Sequence, residues 1–201
     1  MAERKPWLIA LLFLTVLVCG CTANQKAPGA DEGKISVYTS FYTMYDFTSK
    51  IAGDKANIIN MVPPGMEPHD WEPSPKDIAG LSKADLFIYN GAGMEGWTEK
   101  VLDSIKGSKL IPVETSKNIP LEKAERSEPG HQDEHDEDAG GHSHEEGELD
   151  PHVWLDPMNA KLQMEAIRDG LIQADPQNSA YYRGRFEEYS GRLDALDEAY
   201  R

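Results

Sequence analysis

Cysteine is almost absent from this 201-residue sequence: there are two, Cys19 and Cys21, both near the N-terminus. After Cys21 the sequence offers neither a disulfide nor a thiolate ligand for a metal ion. A His-Glu-x-x-His motif, typical of many zinc hydrolases, is also absent. The sequence therefore gives no support to a disulfide-rich scaffold or to a zinc hydrolase of that type, and we predict a protein that is not an enzyme.

Basic residues are scarce, with 20 lysines and arginines against 35 aspartates and glutamates, and the net charge is -15. The excess is concentrated between Glu128 and Asp150, where ten residues are acidic and none is basic. The rest of the chain is only mildly acidic. This distribution argues against nucleic acid as a partner.

Long apolar runs are also lacking, apart from one near the N-terminus. The run from Trp7 to Val18 follows the basic pair Arg4 and Lys5. It has about 12 residues, whereas a membrane-spanning helix needs about 20. A basic start, a short apolar stretch and a small residue before the cleavage point are typical of a signal peptide, which we predict over residues 1–20. A membrane-spanning helix is the less favoured alternative.

The tetrapeptide Val18-Cys19-Gly20-Cys21 is similar to a bacterial lipobox, in which the last cysteine is lipidated and becomes the new N-terminus. Cys21 fits this role better than Cys19, because a small glycine precedes it. The polar residues that follow predict a flexible, lipid-anchored tether over residues 21–33.

The body of the chain alternates strand-like and helix-like stretches. Strands are predicted at Lys34–Thr39, Asn57–Val62, Asp85–Asn90 and Lys109–Val113, with helices at Tyr42–Ala52, from Pro75 to about Lys83 and at Trp97–Ile105. Repeated βα units of this kind predict an α/β fold with a four-stranded, mostly parallel sheet flanked by helices. We predict that this N-terminal lobe spans residues 34–155.

Helices are predicted to fill residues 156–201. Asp156 with Pro157 predicts the start of a helix that runs to about Ala174, and Asp175-Pro176 repeats the pattern. The next helix is long, and its apolar residues recur at spacings of three and four: Tyr182, Phe186, Tyr189, Leu193, Leu196 and Tyr200. We interpret this stripe as a packing face. No helix-ending residue precedes Arg201, so we expect the sequence to stop inside a helix.

A tract rich in glutamate, aspartate, histidine and glycine, residues 122–150, has almost nothing to bury and is predicted to be a mobile loop. It holds four of the six histidines of the chain: His131, His135, His142 and His144. Histidines among carboxylates form a plausible weak chelator for a metal such as zinc. The alternative is a solvated acidic loop with incidental histidines.

The other two histidines lie in proline-rich segments. His69 follows a predicted strand in the sequence Pro63–Pro75, PPGMEPHDWEPSP, and His152 lies between Pro151 and Pro157. In open α/β sheets, ligands bind beyond the carboxyl ends of the strands, and prolines restrict the loop that would hold an imidazole. Taken alone, each histidine is better explained as an ordinary surface or capping residue.

Together these segments resemble a known family. The lipobox, PPGMEPHDWEPSP, NGAGME (90–95), the acidic histidine loop and LDPHVWLDP (149–157) are similar to the solute-binding lipoproteins of zinc and manganese ABC importers, the cluster A-I type. The resemblance implies two α/β lobes joined by a long linking helix, with the metal held between the lobes. It also implies that His69 and His152 are the metal ligands of the N-terminal lobe.

The resemblance further implies that a histidine and a carboxylate of a C-terminal lobe, missing from this sequence, complete the site. Because zinc-specific members carry a histidine-rich loop, it favours Zn²⁺ over Mn²⁺, in line with the preference of imidazole for zinc. The partners it implies are the metal ion, the permease of an ABC importer and, through the anchor at Cys21, the cell membrane. The protein is then extracytoplasmic, at the cell surface or in the periplasm. A manganese-binding homologue and a surface adhesin or metal buffer are the alternatives.

Overall fold

Four parallel strands form the central sheet, in the spatial order β2-β1-β3-β4. They are β1 (Ile35–Thr39), β2 (Ala56–Asn60), β3 (Leu86–Tyr89) and β4 (Ile111–Glu114). The computed structural model describes residues 33–123 and 149–201. The predicted α/β class and the four-stranded parallel sheet are confirmed, with strand ends within two residues of the prediction.

Five helices accompany the sheet: α1 (Tyr42–Ala52), α2 (Pro75–Leu81), α3 (Thr98–Ser104), α4 (Pro157–Ala174) and α5 (Ser179–Tyr200). Local capping explains where two of them begin. Ser74 and Asp77 form a capping box before α2, and Asp156 accepts the backbone N–H of Asn159 at 2.8 Å before α4. Within the described part of the chain, no helix has the length and apolarity needed to cross a membrane.

The core lies on both faces of the sheet because neighbouring residues of a strand point to opposite sides. The ring of Phe87 packs against Trp97, with centroids 5.8 Å apart, whereas Leu86 points to the face that α4 covers. Gly170 lets α4 approach that face closely, since a Cβ there would lie 2.7 Å from Val113. Helix α4 therefore shares one hydrophobic core with the sheet.

The predicted capping role of Asp175 is wrong. A short 3₁₀ turn, Pro176–Asn178, precedes α5, and the Asp175 side chain makes no capping bond to the backbone. Instead Asp175 is buried and accepts the Tyr182 hydroxyl at 2.6 Å and the Asn178 amide at 2.7 Å. A buried carboxylate needs strong partners, and a buried phenol supplies one.

The predicted packing face of α5 holds only as far as Leu193. Tyr182 is fully buried, and Phe186, Tyr189 and Leu193 are half-buried against the core. Further along, Leu196 is 45% exposed and Tyr200 is 80% exposed. The start of α5 thus belongs to the fold of the sheet, whereas its last turns present apolar side chains to solvent.

The contacts of the Asp85 carboxylate predict that the fold loses stability in acid. Its carboxylate accepts the Ser36 backbone N–H at 2.8 Å and pairs with Lys109. Burial opposes ionisation, but these bonds outweigh it and hold the pKa of Asp85 below its ordinary value. A lowered folded-state pKa stabilises the fold above the unfolded value of about 3.9, and this contribution disappears as the pH falls through the folded-state pKa.

We therefore expect Asp85→Asn to lower the free energy of unfolding at pH 6 and to reduce its dependence on pH below about 4. Urea unfolding at several pH values measures both effects. Asp54→Asn, at an exposed carboxylate, is the matched control and is expected to change neither. An unaltered acid dependence in Asp85→Asn would contradict the assignment.

Candidate metal site

The loop that carries His69 is anchored at both ends. After β2 the backbone continues beside the end of β1, where Met61 donates to Thr39 at 2.9 Å and Val62 donates to Ser40 at 3.0 Å. Two residues beyond His69, the buried ring of Trp71 meets Trp97 edge-on, with centroids 5.6 Å apart. The His69 side chain is exposed on this anchored loop, at the carboxyl edge of the sheet.

His152 is oriented by a carboxylate and by an aromatic ring. Asp150 Oδ1 accepts both the backbone N–H of His152, at 2.9 Å, and its ring Nδ1, at 2.7 Å. These two bonds hold the pKa of Asp150 below its usual range. The imidazole also packs edge-on against Trp154 at 5.3 Å, and Trp154 packs on Phe41 at 5.1 Å. The bond at Nδ1 leaves Nε2 as the nitrogen available to a metal.

The two imidazoles, 83 residues apart in sequence, meet at this edge of the sheet. Their Nε2 atoms lie 3.5 Å apart, and the ring centroids lie 5.5 Å apart. Two Zn–N bonds of 2.0–2.1 Å at a tetrahedral angle place the nitrogens about 3.3–3.4 Å apart. The observed spacing therefore suits two ligands of one metal ion.

The pair supplies two donors, whereas a tetrahedral zinc site needs four. Among residues 33–123 and 149–201, no group of three or more His, Cys, Asp or Glu side chains is arranged to hold a metal. Beside His152 runs an open groove of about 330 Å³, lined in part by Glu122, Asp150 and Asp156. These carboxylates give the approach to the pair a negative potential that attracts cations.

The other predicted site residues lie outside the described residues: His131, His135, His142, His144 and the lipidation residue Cys21. Their roles stay predictions. The structure does show where the chain leaves and returns on either side of the histidine-rich tract. Lys123 pairs with Leu149 in an isolated antiparallel bridge, and Asp150 N donates to Glu122 O at 2.9 Å. Both ends of the tract are therefore close to His152.

Sequence reasoning missed a buried polar cluster behind the pair. Glu95 is 4% exposed and accepts hydrogen bonds from the Ser40 hydroxyl and from the backbone N–H groups of Asn90 and Gly91. Burial raises the pKa of Glu95, and the hydrogen bonds oppose that rise. Its signal in the sequence was a carboxylate in a glycine-rich turn directly after a strand, within NGAGME. Asn90 and Gln163 belong to the same cluster, as described below.

A family model described as the zinc-uptake complex component A, periplasmic (ZnuA), matches residues 37–201. The chain belongs to this family. The high-affinity zinc uptake system protein ZnuA of Bacillus subtilis (strain 168) is 39% identical over 201 residues. That alignment covers 98% of this chain but 61% of the relative, so the chain spans about three fifths of that protein's length.

Two further comparisons extend the ZnuA family assignment. The chain matches the Zn(II)-bound ZnuA-like domain of Streptococcus pneumoniae AdcA with a TM-score of 0.68 and 34% identity, over 84% of this chain and 55% of that one. The manganese-binding lipoprotein MntA of Halalkalibacterium halodurans is 30% identical over 189 residues, which cover 94% of this chain and 56% of the relative. Relatives named for zinc and for manganese therefore share this part of the ZnuA fold.

Proposed function

We propose that this chain belongs to the extracytoplasmic zinc-binding component of an ABC importer, which captures Zn²⁺ and delivers it to a permease. The observation that carries the proposal is the His69–His152 pair, with its Nε2 atoms 3.5 Å apart and His152 oriented by Asp150. Membership of the ZnuA family supports it.

Zinc is the favoured ion because the two donors in hand are imidazole nitrogens, which suit zinc, whereas manganese prefers oxygen ligands. Manganese is the second candidate, since one relative is named as a manganese-binding lipoprotein. The donor set supports capture rather than catalysis. A zinc hydrolase needs a general base beside the metal, but the Asp150 carboxylate contacts Nδ1 of His152, away from Nε2.

The remaining roles follow from the sequence and belong to the same proposal. Cys21 carries the lipid that anchors the protein to the cell membrane, at the cell surface or in the periplasm, and residues 21–33 are the tether. The donors that complete the tetrahedral site come from beyond the described residues. The histidine-rich tract binds zinc weakly, and its two described ends meet at Glu122 and Asp150, next to His152.

Uptake of radioactive zinc by a strain that lacks this gene tests the proposal. We expect the complete gene to restore uptake and the His69→Ala gene to fail, because one of the two paired imidazoles is lost. Deletion of residues 128–148 is expected to leave most of the uptake intact. The result would oppose an importer role, and favour a surface metal buffer, if the deletion abolished zinc retention by the cells while His69→Ala had no effect.

A further inference from the structure

Asn90 connects helix α4 to the segment that carries His152. It is fully buried at the carboxyl end of β3. Its side-chain amide nitrogen donates to the backbone carbonyls of Pro151 and Gly91, each at 3.0 Å. Its side-chain oxygen accepts the Gln163 amide of α4 at 2.8 Å. Every side-chain hydrogen-bonding group of Asn90 therefore has a partner.

These contacts leave no choice in the orientation of either amide. Asn90 faces two carbonyl oxygens on one side, which only its NH₂ group can satisfy, so its oxygen faces Gln163. Gln163 must then present its own NH₂ group to Asn90, and that group also donates to the Thr115 hydroxyl at 3.0 Å. Gln163 thereby fixes the rotamer of Asn90.

The peptide group between Pro151 and His152 is held from both sides as a result. Its carbonyl accepts from Asn90, and its N–H donates to Asp150 at 2.9 Å. Because a peptide group is planar, two such bonds fix its orientation. That plane fixes the N–Cα bond of His152, and thereby the point on the backbone from which the His152 side chain extends.

The turn that begins at Asn90 is also held by contacts that do not involve the Asn90 side chain. Glu95 already accepts the backbone N–H groups of Asn90 and Gly91. Gln163, for its part, keeps a buried side-chain oxygen that has no hydrogen-bond partner among the described residues. An apolar side chain at that position would avoid this unfavourable group, which indicates that the amide is retained for its contact with Asn90.

We infer that Asn90 is a positioning residue for His152 and that Gln163 of α4 supports it through a buried relay, Gln163–Asn90–Pro151. The inference rests on the proposed function, in which His152 holds zinc. Loss of an outer-shell partner of a metal-binding histidine typically weakens metal binding by about 10- to 100-fold. The relay is an outer-shell contact of this kind, although it acts on the backbone of His152 rather than on its imidazole ring.

The test compares three variants of the full-length protein in a background where the four loop histidines are replaced by asparagine. Asn90→Asp places an acceptor opposite the Pro151 carbonyl, and Gln163→Leu removes the donor to Asn90. Tyr182→Phe is the matched control, because it also removes a buried hydrogen bond, to Asp175. That bond lies past the far end of α4, which is about 27 Å long at 1.5 Å per residue.

Zinc affinity is measured by competition with a chromophoric chelator, and the ring signals of His69 and His152 are followed by NMR without zinc. We expect about 10- to 100-fold weaker binding for Asn90→Asp and a smaller loss for Gln163→Leu. In both, the ring signals of His152 shift more than those of His69, which contacts the His152 ring. Tyr182→Phe loses thermal stability and keeps its zinc affinity.

The inference is overturned if a folded Asn90→Asp protein binds zinc with the affinity of the parent. It is also overturned if Tyr182→Phe lowers the zinc affinity as much as Gln163→Leu does. Should Asn90→Asp fail to fold, Gln163→Leu decides alone. Failure of the proposed function gives a different result, in which the parent protein binds no zinc at His69 and His152. The zinc-free ring signals of His152 then still report whether the relay positions the side chain.

Discussion

Replacement of His69 by alanine is expected to abolish tight zinc binding at the His69–His152 pair. The structure brings two imidazole nitrogens to 3.5 Å, and the variant leaves one of them. Since loss of a mere outer-shell partner costs up to about 100-fold in affinity, we expect loss of a direct ligand to cost at least that much. Calorimetric titration of the full-length protein, with the loop histidines replaced, measures the change.

Met66→Ala is the matched control for this experiment. Met66 lies in the same loop, is 54% exposed and is not one of the usual zinc ligands, which are Cys, His, Asp and Glu. We expect it to retain the parent affinity, which would show that the loop tolerates substitution and that the imidazole is what binds. Equal affinities of His69→Ala and the parent would remove His69 from the site and leave the proposed function without its main support.

Replacement of Trp71 by alanine is expected to damage both the fold and the site. Truncation of a buried tryptophan typically lowers the free energy of unfolding by about 3–5 kcal/mol. Trp71 is buried against Trp97 and anchors the loop two residues beyond His69. The released loop must then be ordered again when zinc binds, so zinc affinity is expected to fall as well. Urea unfolding and zinc titration measure the two effects.

Two variants separate anchoring of the loop from general instability. Trp71→Phe keeps an aromatic ring against Trp97 and is expected to recover most of the zinc affinity. Phe87→Ala removes a fully buried ring from the sheet side of Trp97, with a comparable loss of stability. If Phe87→Ala lowered the zinc affinity as strongly as Trp71→Ala, the prediction that Trp71 specifically anchors the loop would be wrong.

The parts of this fold that could be predicted are those that depend on contacts between residues close together in the sequence. The start of α4 at Pro157 was predicted because Asp156 satisfies a backbone N–H three residues ahead, which depends on neighbouring residues alone. The same Asp-Pro pattern at Asp175 gave a wrong prediction. There the carboxylate is buried and binds Tyr182, and only the packing of α5 against α4 determines that contact.

The candidate site also has residues that could be predicted from the sequence and contacts that could not. The strand-end rule and the family resemblance singled out His69 and His152, and the structure places both at one edge of the sheet. Nothing in the sequence indicated that Asn90 would bond to the carbonyl of Pro151, 61 residues away, or that Gln163 would complete the contact. Buried polar contacts between distant segments depend on tertiary geometry, which no local pattern contains.

The hydrogen bond from Asp150 N to Glu122 O, beside the Lys123–Leu149 bridge, bears on how many residues the intervening tract can contain. Because the two ends of the intervening tract are fastened side by side, the length of that tract is decoupled from the geometry of the fold. For a flexible chain, each doubling of length between such ends costs only about 0.6 kcal/mol in closure entropy. A change in the number of residues between Lys123 and Leu149 is therefore expected to leave the position of His152 unchanged.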